Sequence, residues 1–345
     1  MRKVGLQYLQ GNERLGRAIF DEEGRILLRE GVVLKRSFIE KLLSLGIGSV
    51  YIEDVLSQGI DVQDVVAEET RQESKKAIAE TMRRFVRCGE LSLKGVVVSA
   101  QKVIDEILQQ KEVMFNLVDV RAKEDSLFSH SVNVCILAVM TGVNMGYNLM
   151  LLKELAAGAL LHDVGMLQIM KELVPGSGKM EIDWARYREH PKLGYDLLNQ
   201  QSISSYVKVI ALTHHEKCDG SGFPLGLKSE EINEMVKIIS VCNAFDCIIH
   251  GKRDQYDVPA FQAIEFLEAS RQLFDPLVVD KFVRNVSLYP SGHRVRLNDG
   301  RQCIVVRQNN GFASRPVVRE LEGAGQNEIN LSIELTLFIE EAYED

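Results

Sequence analysis

Five of the chain's seven histidines lie between positions 130 and 215, in the contexts SHSVNV (His130), LLHDVGM (His162), EHPKLG (His190) and THHEKCDGSG (His214 and His215). The first four are separated by 32, 28 and 24 residues, and His215 follows at once. Each long interval has room for one helix and a loop. Successive helices would then each deliver one imidazole to a common point inside a bundle, where helical proteins build metal sites. Asp163, directly after His162, adds a hard oxygen donor able to bridge two cations. Imidazole and carboxylate suit iron, manganese, nickel or zinc, and no cysteine joins the constellation to favour a thiolate site. This set has more donors than one ion normally uses. Two ions about 3.5–4 Å apart would use them, and such a pair activates water against a phosphoester. Any one of these histidines alone is more often a surface or hydrogen-bonded core residue, so the joint pattern carries the reading. His250 and His293 fall outside it.

The elements that must position these residues follow from periodicity. Helices are predicted at 127–145, 149–162, 191–201, 204–213, 231–250, 258–270 and 276–286, with Pro259 and Pro276 near helix starts, where a missing N–H costs little. Ahead of this segment, residues 61–120 mix charge with sparse apolar positions and read as exposed helices. Residues 1–60 form a small α/β unit: a hairpin in RAIFDEEGRILL, a helix in SFIEKLLSLG ending at Gly46, and a strand in SVYIED. From about 290 the pattern becomes β-rich, with NDG and NNG turns between β-branched runs and an acidic tail, FIEEAYED, expected in solvent. The domain boundaries expected are thus 1–60, 61–120, 121–289 and 290–345.

The bulk properties narrow the function classes. With 345 residues the chain is long enough for two or three domains, and its 46% apolar content supplies a sizeable core. A net charge of −8 excludes a surface built to bind a nucleic-acid polymer, though not a local basic pocket for a small anion. Six scattered cysteines without a CxxC pair suit a reduced compartment. The start MRKVGLQYLQGNE has no apolar core of a signal peptide, and the run VCILAVMTGV is too short to span a bilayer. The expectation is a cytoplasmic protein with no membrane segment.

The order H…HD…HP…HH…DGSGFP resembles the HD-GYP family, a branch of the HD superfamily of metal-dependent phosphohydrolases, over roughly residues 121–289. The flanking segments resemble the small N-terminal domain and the β-rich extension often found with such units. The resemblance implies a mainly α fold, an HD-type helical bundle core between a small N-terminal α/β unit and a small C-terminal β-rich extension. It implies hydrolysis of cyclic di-GMP to pGpG, and in some members to GMP, with divalent ions, commonly iron or manganese. His130, His162, Asp163, His190, His214 and His215 fall on the family's metal ligands, Asp163 as the bridging one. In VCNAFDC, Asn243 falls on the usual ligand aspartate. Asp246, on the second aspartate, is either a further ligand or a partner for a histidine. Lys217 matches a basic position suited to a phosphate and to stabilising charge in the reaction. Gly222, Phe223 and Pro224 match the substrate-side loop, where a plain turn is the competing account of the glycines. Lys252 and Arg253 in HGKRDQY are phosphate-binding candidates.

Several positions depart from the family. Ser126 replaces the glutamate of trinuclear members, which implies two ions. Met166 stands where HDxGK has its lysine, and Phe223 where GYP has its tyrosine. Three readings follow. The first is a cyclic di-GMP phosphodiesterase. The second is a cyclic di-GMP receptor or scaffold with little catalysis, suggested by Met166 and Asn243. The third is another nucleotide phosphohydrolase or a di-iron enzyme on the same scaffold. A signalling partner at the DGSGFP loop and a homodimer through helices at 61–120 are the further associations expected.

Overall fold

A computed structural model of the chain describes residues 1–21, 25–62, 64–109, 127–172, 183–250, 258, 260–309, 311–321 and 327–343. At the N-terminus, β1 (Arg2–Gly5), β2 (Arg14–Leu15), the pair β3 (Ile19–Phe20) and β4 (Ile26–Leu28), α1 (Arg36–Ser44) and β5 (Ser49–Glu53) realise the expected α/β pattern. The sheet runs β1-β5-β2, all antiparallel, and β3 pairs with β4 as the hairpin. Helix α1 turns Ile39 and Leu42 onto Val4, Leu15, Val50 and Ile52, so one amphipathic helix closes one face of the sheet.

The helical segment comprises α2 (Glu68–Cys88), α3 (Lys94–Gln109), α4 (Leu127–Asn144), α5 (Leu149–Leu161), α6 (Met166–Glu172), α7 (Trp184–Tyr187), α8 (His190–Asn199), α9 (Ser205–Thr213), α10 (Glu234–Ile249), α11 (Ala260–Ala269) and α12 (Pro276–Val283). Helix α4 is apolar on nearly every face and buries nearly all of them, packing against α2, α3, α5, α10 and α12. It is long and apolar enough by composition to cross a membrane, and protein surrounds it here. Side-chain caps set several starts: Asn148 accepts from Leu151 N–H before α5, Ser204 from Tyr206 N–H before α9, and Asn233 from Met235 N–H before α10. The expected helices appear within a few residues. Helices α6 and α7 are additions, too short to show a periodicity of their own.

The expectation of exposed helices over 61–120 is corrected. Helix α3 buries Val96, Ala100, Val103, Ile104 and Ile107, α2 buries Ile78 and Met82, and both helices pack on α4. Their charged residues cover only the outer faces. The C-terminal strands are β6 (Arg294–Leu297), β7 (Gln302–Arg307), β8 (Val317–Glu320), β9 (Glu328–Asn330) and β10 (Ile339–Tyr343), in the antiparallel order β10-β6-β7-β8-β9. Much of the acidic tail expected in solvent is therefore strand β10, paired with β6 from Ile339↔Leu297 to Tyr343↔Arg294. Its glutamates point outward from an edge strand, which discourages further pairing.

Two compact units result. One holds the described residues of Met1–Val65 and Arg284–Asp345, the other those of Val66–Lys111 and Leu127–Val283. In the first, Tyr51, Ile60 and Val62 share a core cluster with Ile304 and Val306, and Arg319 donates to the Gln58 carbonyl at 2.8 Å. The two chain ends thus form one body, because each sheet has an apolar face that the other covers.

In that unit His293 accounts for part of the pH response. Its Nδ1 lies 3.2 Å from the Pro290 carbonyl. Burial, with the Lys3 charge adding to it, lowers the imidazole from 6.5 to about 3. The unfolded chain binds the proton more readily, so stability from neutral His293 is present above about pH 6.5 and is lost as pH falls towards about 3. His293→Gln is expected to flatten the dependence of the full chain's urea midpoint on pH between 7 and 4.5. An unchanged slope refutes this.

Candidate metal centre

The ligand candidates sit at helix ends, which is what brings them together. His162 caps the C-terminus of α5 and Asp163 follows it, His214 caps α9 with His215 next, His190 opens α8, and His130 lies in the first turn of α4. All but His215, which is half-buried, are buried among the apolar residues of these helices.

Each imidazole is oriented from behind. The Nδ1 atoms of His162, His190 and His214 lie 2.7, 2.6 and 3.0 Å from the carbonyls of Ala159, Tyr187 and Ala211, and His130 Nδ1 lies 2.6 Å from Asp246 Oδ2. Carbonyls and carboxylates only accept, so these nitrogens carry the protons and the four Nε2 atoms present lone pairs. The lone pairs face inward in two couples, His130 with His162 at 3.2 Å and His190 with His214 at 3.1 Å. The Asp163 carboxylate stands between the couples. Its Oδ2 lies 3.7 and 3.5 Å from His130 and His162, and its Oδ1 lies 3.2 and 3.5 Å from His190 and His214.

The electrostatics suit cations here. Burial alone would raise the Asp163 carboxyl, but the charge and hydrogen bonds of His162, His190 and His214 outweigh it and hold the group well below the usual carboxylate range. Burial takes His214 down to about 4, against a raising effect from Asp163, and takes His215 well below the usual histidine range. Near neutral pH His214 and His215 are thus bases beside a carboxylate. Two couples of imidazole nitrogens at contact distance around one carboxylate form donor sets that a positive charge between them would satisfy. The donor sets His130–His162–Asp163 and Asp163–His190–His214–His215 each gather within the span of one ion. The residues fit divalent cations.

Other predicted residues take different places. Of the two places open to Asp246, further ligand or partner for a histidine, the structure shows it behind His130. It occupies the Nδ1 side, away from the inward-facing nitrogen, and it also accepts from Asn133 Nδ2 at 2.7 Å. Lys217 is engaged within the protein. Its ammonium donates to Ser240 Oγ at 3.2 Å and lies 4.1 Å from the Phe274 ring centroid, so it braces the turn after His215. Burial lowers it to about 8. Asn243 is buried in α10, and its carbonyl oxygen lies 3.4 Å from the Cys247 thiol. Met166 opens α6 and is buried. Phe223 stacks on His215 with centroids 4.5 Å apart, and Pro224 beside it is exposed. Ser126, Lys252 and Arg253 lie outside the described residues.

Three contributors were missed from the sequence. Tyr187 supplies the carbonyl behind His190, and its hydroxyl lies 3.3 Å from His215 Nε2. Its position three residues before His190 was the available signal. Arg188, two residues before His190, lies 4.8 Å over the Phe223 ring. Glu216 is buried, and its carboxylate accepts backbone N–H bonds from Leu225, Gly226 and Leu227 at 2.7, 3.2 and 2.9 Å. This clamp folds the DGSGFP loop back on the paired histidines. Gly222 meets them so closely that a Cβ there would lie 2.4 Å from Glu216 Cα and 2.6 Å from the His215 carbonyl. Glu216→Ala leaves these N–H groups unpaired, at about 1–3 kcal/mol for a buried one. Hydrogen exchange at residues 225–227 is expected to accelerate, and exchange in α4 to stay unchanged. Unaltered exchange in the loop counts against the clamp.

The HD domain family model matches residues 105–278, half of the chain. The chain belongs to the HD domain family. It is 30% identical over 250 residues to the cyclic di-GMP phosphodiesterase PA4108 of Pseudomonas aeruginosa, covering 71% of this chain and 60% of that protein. It is 31% identical over 180 residues to the cyclic di-GMP phosphodiesterase PdeB of Borreliella burgdorferi, covering 51% of this chain and 47% of that one. The chain therefore spans about half to 60% of these relatives. The solved structure of Bd1817, an HDG"Y"P protein from Bdellovibrio bacteriovorus, shares the fold with a TM-score of 0.51 and 17% identity, over 81% of this chain and 97% of that one.

Proposed function

We propose that the cluster holds two divalent cations, iron or manganese, and that the chain hydrolyses cyclic di-GMP to pGpG. The observation that carries this reading is the set of four inward-facing imidazole nitrogens arranged in couples about the two oxygens of one buried carboxylate. His130, His162 and Asp163 would hold one ion, with Asn243 as a neutral oxygen donor. Asp163, His190, His214 and His215 would hold the other. When bound, such a pair supplies a nucleophile at neutral pH and offsets the charge gathering on the phosphoryl oxygens. The chain's own residues bind and orient the substrate: the Gly222–Phe223–Pro224 stretch lines one side, with the Phe223 ring fixed on His215. Met166 offers no cation to the phosphate, so charge compensation falls more heavily on the metal site.

The relatives named as cyclic di-GMP phosphodiesterases support this substrate. Protein loaded anaerobically with iron or manganese is expected to convert cyclic di-GMP into pGpG, resolved by ion-pair chromatography. Absence of product with either metal rejects the enzyme. A receptor reading has two observations in its favour, the buried, apolar Met166 at the family's lysine position and the neutral, buried Asn243 at its ligand aspartate position. Submicromolar binding without product would select it, and a panel of other nucleotides separates either reading from a different hydrolase.

A further inference from the structure

Three of the inward-facing histidines are braced by backbone carbonyls, and His130 alone among these four by a side chain, Asp246. The brace continues. Asp246 Oδ1 accepts from Asn133 Nδ2 at 2.7 Å, and Asn133 Oδ1 accepts from Arg71 Nη1 at 3.3 Å. Arg71, Asn133, Asp246 and His130 are each at most 6% exposed, so water does not substitute for any link. The chain of bonds joins three helices: Arg71 from α2, Asn133 and His130 from α4, and Asp246 from α10. His130 and Asn133 are three residues apart, on one helical face, and so meet the same carboxylate.

The polarity of this chain is forced. A carboxylate only accepts, so the Asn133 amide must turn its NH2 to Asp246 and its oxygen to α2. That oxygen needs a donor, and Arg71 is always charged and only donates. The Val66 carbonyl, 3.4 Å from Arg71 Nε, accepts from the guanidinium on its other side. We propose that Arg71 is a positioning residue for the metal ligand His130, acting through Asn133 and Asp246. The proposal rests on the metal reading of the cluster and is independent of the substrate.

The test is calorimetric titration of the full, metal-free chain with Mn2+, together with the visible absorption of its Co2+ form. Removing a direct outer partner of a ligand weakens metal binding about 10–100-fold. Arg71 is two links further away, so Arg71→Met is expected to weaken Mn2+ binding by about 3- to 10-fold and to shift the Co2+ bands. Arg71→Lys keeps a donor and restores most of the affinity. In an Asn133→Leu background Arg71→Met adds nothing, because the link is already cut. Wild-type affinity and an unshifted Co2+ spectrum in Arg71→Met overturn the proposal, even if thermal stability without metal has fallen. Full additivity with Asn133→Leu overturns it too. A wild-type chain that binds no Mn2+ or Co2+ removes the metal reading and this proposal with it, a result distinct from failure of the relay alone.

Discussion

Asp163→Asn is expected to abolish binding of the cation pair and to lower phosphodiester turnover by about a thousandfold or more, at about 1.4 kcal/mol for each factor of ten and several kcal/mol of charge stabilisation lost. Asp163 presents one oxygen to each histidine couple, at 3.2–3.5 Å on one side and 3.5–3.7 Å on the other. Asparagine keeps the shape and removes both the charge and one of the two acceptors. Its NH2 would face bare imidazole nitrogens and donate to one of them, so the metal-free protein is expected to stay folded while the cations lose their shared ligand. Two measurements separate loss of metal from loss of fold. Metal analysis after loading should show at most one ion per chain, and added Mn2+ should no longer raise the melting temperature as it does when a ligand binds only the folded state. Two tightly held ions in the variant would refute the bridging role. The Asp163 carboxyl lies well below the usual range, so wild type keeps its bridging charge throughout neutral and mildly acidic pH.

The clustering of the candidate ligands was legible in the sequence because metal chemistry restricts residue types severely and helix-plus-loop spacing fixes where they recur. His130, His162, Asp163, His190, His214 and His215 all arrive at one place. What remained hidden was the side of each ring from which a partner approaches. Asn243 and Asp246 are three residues apart on one helix, and nothing in VCNAFDC tells that Asp246 takes the Nδ1 side of His130. Lys217 looked free for a phosphate because sequence cannot show the Ser240 hydroxyl and Phe274 ring that engage it. Polar surface misled elsewhere. The charges of α2 and α3 concealed their buried stripes, and the adjacent glutamates Glu340 and Glu341 concealed edge strand β10. In each case a residue pattern was read as the environment of the whole element when it described one face.

Gly165→Ala is expected to have the second-largest effect, through the backbone. Gly165 ends the HDVG stretch just before α6, and a Cβ built there would lie 2.0 Å from the His190 carbonyl oxygen and 2.5 Å from Gly194 N. Both obstacles are backbone atoms of α8, so no rotamer change relieves the collision. Either α8 moves outward or the turn carrying Asp163 does. His190 opens α8, and Asp163 lies two residues before Gly165, so either movement separates Asp163 Oδ1 from His190 Nε2, now 3.2 Å apart. Overpacking by one methyl typically costs about 1–3 kcal/mol, and a collision with backbone belongs at the upper end. The expected result is a lower melting temperature together with weakened binding at the His190 side of the cluster. With α8 as the part that yields, the His130–His162 couple, on the other oxygen, retains its geometry. Mn2+ titration should then show one site weakened far more than the other. Equal weakening of both would mean that the whole turn had shifted, and unchanged binding with unchanged stability would mean that the close approach of α8 to Gly165 is not a feature of the folded protein. The glycine of LLHDVGM is therefore as much part of the candidate metal site as the residues before it, since only the absence of a side chain lets α8 approach near enough for His190 to reach Asp163.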